Sequence, residues 1–136
     1  MENIMNWYTV SYSIFLGLAG IFFTLFTVIY ALIDNKNSSI SFLESKKKRG
    51  NASPRQKSDL SYWTDYRSSL RALNKHVLAL FILSVVLSVV FVMLYLNEMQ
   101  NSWLTWIMAV VEVALAGYII YVFAKFIMSY FKNMKD

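Results

Sequence analysis

Residues 7–33 read WYTVSYSIFLGLAGIFFTLFTVIYALI, and the wider stretch 3–33 holds no Asp, Glu, Lys, Arg or His. As a helix, residues 7–33 run about 40 Å at 1.5 Å per residue, enough to cross a hydrocarbon core of about 30 Å with tilt to spare. The run is longer than a signal-peptide core of about 7–15 residues, and no basic segment precedes it, so it reads as a span rather than a cleaved leader. Two further runs follow: residues 77–96 carry no charge, and residues 103–124 are interrupted only by Glu112. The expected fold is therefore all-α, an integral membrane protein with three transmembrane helices in a single membrane domain, 1–136.

Composition agrees. The 136 residues are 57% hydrophobic and 15% charged, and their 17% aromatic content suits rings that anchor at two membrane interfaces. With no cysteine, neither a disulfide nor a thiolate metal site can form.

Direction follows from the cations, because Lys and Arg resist translocation. Of the 13, ten lie in residues 34–76: Lys36, Lys46, Lys47, Lys48, Arg49, Arg55, Lys57, Arg67, Arg71 and Lys75. The rest, Lys125, Lys132 and Lys135, follow the third span, whereas the N-terminal tail and the turn 97–102 have none. Three spans put both groups on one side, so the N-terminus is expected outside and the C-terminus in the cytoplasm, in the inner membrane of a bacterium. In span count and direction the chain is similar to phage holins of the three-span class, a resemblance that assigns no site residue.

The first span carries Ser13, Gly17, Gly20, Thr24, Thr27 and Ala31 on one stripe, opposite a bulky face of Tyr8, Phe15, Phe22, Phe26, Ile29 and Ile33. In lipid, close packing of small residues replaces hydrophobicity as the force between helices, so the small stripe is expected to meet a helix and the bulky face to meet lipid. Ser84 and Ser88 form a smaller pair on the second span, their hydroxyls free to bond back along the helix or across to a neighbour. On the third, Ser102, Thr105, Ala109, Glu112 and Ala116 fall within an arc of about 80° at 100° per residue.

Glu112 lies about 13.5 Å into the membrane by helix rise, near the midplane, with no intramembrane Lys or Arg to pair with it. A charge there costs on the order of 2.5–3.5 kcal/mol, so the acid is expected to be neutral or to face water or polar groups, with Thr24, Thr27, Ser84 and Ser88 as candidate partners. Two readings stand side by side: acids lining a cation-permeable pore in an oligomer, or a neutral acid that fixes helix packing.

Residues 34–57 are polar and basic without sustained periodicity and read as a flexible loop around Gly50 and Pro54. From Ser58, a plausible N-cap, Trp63, Tyr66, Leu70, Leu73 and Val77 recur at helical spacing through residues 58–76. This amphipathic helix offers Trp63, Arg67, Arg71 and Lys75 to lipid headgroups or a partner. The tail 125–136 continues the third helix, with Lys125, Ser129, Lys132 and Asp136 on a polar strip and Ile127, Met128, Tyr130, Phe131 and Met134 on the apolar side.

Enzymatic chemistry is not expected: there is one His, at the membrane edge, and no phosphate loop, H-E-x-x-H or G-x-S-x-G. No cofactor or metal is expected either. Tyr62, Trp63 and Tyr66 interleave with cations as stacking platforms do, but membrane topology explains the same residues without nucleic acid. The expected partners are membrane lipids, further copies of the chain or a larger membrane complex, and a soluble cytoplasmic protein. Two functions follow: an oligomeric channel or membrane-perturbing assembly acting in lysis or phage defence, or a non-catalytic accessory or anchoring subunit that docks a soluble partner.

Overall fold

In the computed structural model the chain forms α1 (Glu2–Lys48), α2 (Pro54–Leu96) and α3 (Ser102–Met134). The description covers residues 2–134, without the side chains of Tyr130, Lys132, Asn133 and Met134. Lys135 and Asp136, the latter on the expected polar strip of the tail, lie outside the described residues. Each helix is long and apolar enough to cross a membrane. Two units make up the fold, one of Met1–Phe23 with Leu78–Asp136, the other Thr24–Val77.

The Thr24–Val77 unit is an antiparallel helical hairpin, and it corrects the loop expected at 34–57. Residues 34–48 remain helical, and only residues 49–53 break the chain between α1 and α2. Asn35, Asn37, Ser38 and Ser39 are weak helix formers, but packing of an apolar face outweighs propensity over one or two turns. Here Ile29, Ile33 and Ile40 of α1 are buried, as are Leu60, Leu70 and Val77 of α2.

The hairpin turn is fully specified by capping. Gly50, with φ +72°, ends α1 in a Schellman motif, its N–H donating to Lys47 O (3.1 Å) and that of Asn51 to Lys46 O (3.1 Å). Lys46, Lys47 and Lys48 in the last turn oppose the negative end of the helix dipole. The helix that follows starts at Pro54, not at Ser58, because Ser53 makes a capping box: Gln56 N donates to Ser53 Oγ (3.2 Å) and Ser53 N to Gln56 Oε1 (3.1 Å). Pro54 then occupies the first helical position, where its missing N–H is not needed.

In the other unit, aromatic packing joins α1 to α2. The Phe91 ring, fully buried, lies 5.7 Å from that of Phe15 in a stacked pair and 5.5 Å from that of Trp7 edge-on. Such pairs contribute about 0.5–1.5 kcal/mol each beyond their burial. Buried Tyr8 donates its hydroxyl to Met99 O (3.0 Å), tying the start of α1 to the turn between α2 and α3. That turn repeats the Schellman pattern, Glu98 N to Tyr95 O (3.2 Å) and Met99 N to Leu94 O (3.2 Å), with Glu98 itself at φ 49°. Helix α3 buries Met108, Leu115 and Val122, residues seven apart on one line. It is the least covered helix, 17% of its most apolar window being buried against 33% for α2.

Candidate functional site

The face that α1 uses within the chain is the opposite of the one its small residues suggested. Tyr8, Phe15, Phe22, Ile29 and Ile33 are buried, and Phe26 is half-buried, whereas Ser13, Gly17, Gly20, Thr24, Thr27 and Ala31 are all exposed. The bulky face is therefore not a lipid face. A methyl group added at Gly17 or Gly20 would meet nothing within 4 Å.

Both helices carry their large packed residues in rows. Tyr8, Phe15, Phe22 and Ile29 are seven residues apart, and so are Ala19, Ile33 and Ile40 when Phe26 is included, giving two rows offset by three and four. On α2, Leu70, Val77, Ser84 and Phe91 form one such row, and Leu60, Arg67, Asn74, Phe81 and Ser88 the other. Sevenfold rows keep two helices in contact over a long distance, and large side chains fill the space between them with more dispersion contact than glycines can. The small stripe is spaced in sevens too, Ser13, Gly20 and Thr27 in one row and Gly17, Thr24 and Ala31 in the other, so side-chain bulk rather than spacing separates the two faces.

Polar groups fall on that seam. Ser88 Oγ donates across to Tyr12 O (3.3 Å), whereas Ser84, one turn away and fully buried, leaves its hydroxyl without a partner. The buried Asn74 leaves Oδ1 unpartnered in the hairpin unit. An unmade bond of this kind costs about 1–3 kcal/mol, so both positions weaken the seam where they sit.

Glu112 is half-buried on α3, at about 40° from the Met108 line by helix geometry, so it flanks the packed face. Among the described residues it forms no hydrogen bond or ion pair. It bonds neither Ser84 nor Ser88 of its own unit, and Thr24 and Thr27 belong to the other. Ser84 is unbonded, Ser88 bonds Tyr12 O, and Thr27 Oγ1 donates to Thr24 O in its own helix (3.1 Å), in the other unit. Of the small residues beside the acid, Ala109 is half-buried and Ala116 exposed. The small residues left exposed in this unit include Ser13, Gly17 and Gly20 on α1 and Ala116 and Gly117 on α3.

The four residues expected to meet headgroups divide into two pairs. Trp63 lies under Lys36, whose ammonium stands 3.4 Å from the ring centroid, and Arg67 Nη1 donates to Asn37 Oδ1 (3.1 Å). Both are half-buried and engaged inside the hairpin, whereas Arg71 and Lys75 are exposed. The rings of Tyr62 and Tyr66 stack on each other at 6.4 Å, so this aromatic group is already occupied by its own members and by Lys36. Lys36, Asn37 and Asn74 carry no signal of these roles in composition; Lys36 continues one sevenfold row of α1 and Asn74 stands in one of α2, whereas Asn37 lies in neither. No three His, Cys, Asp or Glu gather as metal ligands among the described residues.

Compared with family models, with curated proteins and with solved structures, the chain matches none.

Proposed function

We propose that this is a small non-enzymatic protein of a bacterial inner membrane, N-terminus outside and C-terminus cytoplasmic, that self-associates into a channel or membrane-perturbing assembly of the kind used in lysis or phage defence. The observation that carries the reading is the stripe of Ser13, Gly17 and Gly20, exposed on α1 with open space at both glycines. Lipid does not draw helices together by hydrophobicity, so a glycine stripe is a place where a second helix gains contacts that lipid chains cannot match. In the assembly the half-buried Glu112 faces the interior, where water or other copies of the acid satisfy it.

The test is reconstitution of the purified protein with ion flux and oligomer size measured together. A Cβ at either glycine enters open space, so Gly17→Leu with Gly20→Leu starts without a clash at the backbone, and leucine favours the helix by roughly 1 kcal/mol per site over glycine. Loss of the oligomer and of flux in that variant, and altered flux in Glu112→Gln, are the expected results. A wild-type protein that is a stable monomer without flux, or that assembles only with a different protein, sinks the proposal.

A further inference from the structure

The hairpin brings the two ends of the uncharged runs to different depths. Lys36 against Trp63 and Asn37 against Arg67 set the antiparallel register of α1 and α2. Counting equal steps away from those contacts, Arg71 stands level with residues 28–33 and Lys75 level with residues 24–29. Both cations therefore lie beside the uncharged part of α1, where Val28 and Tyr30 are 53% and 60% exposed. Val77, where the uncharged run of α2 starts, stands level with residues 22–27, so that of α1 overshoots it by about 9–16 Å at 1.5 Å per residue.

Arg71 and Lys75 are one turn apart, so they share a face of α2. Both are exposed, and neither forms a hydrogen bond, ion pair or ring contact among the described residues. No carboxylate pairs with either among the described residues: the nearest acid on α1, Asp34, lies just past the level of Arg71 toward the turn, and those of α2, Asp59 and Asp65, lie farther toward it. Long cationic side chains at such a depth lay their stems on apolar surface and raise their charges to the headgroups.

We infer that Arg71 and Lys75 bind the phosphate of an anionic glycerophospholipid, which makes the hairpin selective for anionic over zwitterionic lipid. The inference rests on the reading that the three helices span a bilayer. Two adjacent cations without a carboxylate need net negative charge, which a zwitterionic headgroup does not supply. Trp63 and Arg67 are not part of this site, because Lys36 and Asn37 hold them within the hairpin.

Native mass spectrometry of the full-length protein in detergent, titrated with phosphatidylglycerol, phosphatidylcholine and inorganic phosphate, tests it. Phosphatidylglycerol adducts are expected to exceed phosphatidylcholine adducts by about tenfold. Arg71→Gln with Lys75→Gln should abolish that preference, while the charge-matched Lys46→Gln with Lys47→Gln near the hairpin turn should keep it; circular dichroism checks that all remain helical. Equal retention of the two lipids, equal loss in both double variants, or displacement of the lipid by free phosphate would overturn the inference. Recovery of the protein without detergent would instead overturn the membrane reading itself.

Discussion

Glu98 adopts φ 49° at the end of α2, a position that glycine fills in the equivalent motif at Gly50. A side chain in this left-handed region carries about 1 kcal/mol of strain from its Cβ. Glu98→Gly is therefore expected to raise the stability of the detergent-solubilised protein by roughly that amount, read as a higher midpoint of thermal unfolding. An unchanged or lower midpoint would mean that the glutamate makes up for the strain elsewhere. Glu112 is the other acid whose position matters at this scale. It was legible from the sequence as the one charge in an apolar run, because a single charge in such a run stands out against any background. Its surroundings were not legible, because they depend on which face of α3 is turned inward, and Met108, Leu115 and Val122 settle that.

Among the elements, the hairpin turn shows how a few local contacts end one long helix and begin the next. Ser53→Ala removes the cap of α2 and exposes an N–H that Ser53 Oγ now accepts from Gln56. The loss of about 1 kcal/mol should accelerate amide exchange at residues 56 and 57 by roughly fivefold, with the amides of residues 80–90 unchanged. Uniform acceleration along α2 would show that the cap acts on the whole helix. The turn signals Gly50 and Pro54 were plain in the sequence, and so was the helical spacing from Trp63 to Val77. The helix through residues 34–48 was not, since its asparagines and serines favour caps and turns in isolation; contact of Ile33 and Ile40 with a second helix outweighs that preference.

For the whole molecule, the absence of cysteine makes topology directly measurable. Single cysteines at Asn3→Cys and Lys47→Cys are the only thiols in their variants. In intact bacterial cells a membrane-impermeant maleimide should label position 3 and spare position 47 until the membrane is opened. The reverse pattern would refute the orientation drawn from the cations. Three long apolar helices follow from the sequence alone, because runs of this length with no charge, or with Glu112 alone, have no other ready solvent than lipid or a large protein core. The choice of face did not follow. On α1 a small stripe and a bulky stripe share the same helical period, and periodicity cannot say which one a neighbour will cover. Only the tertiary structure decided it: α2 carries its own sevenfold rows, its aromatic and aliphatic residues meet the bulky face of α1, and Ser13, Gly17 and Gly20 are left outward.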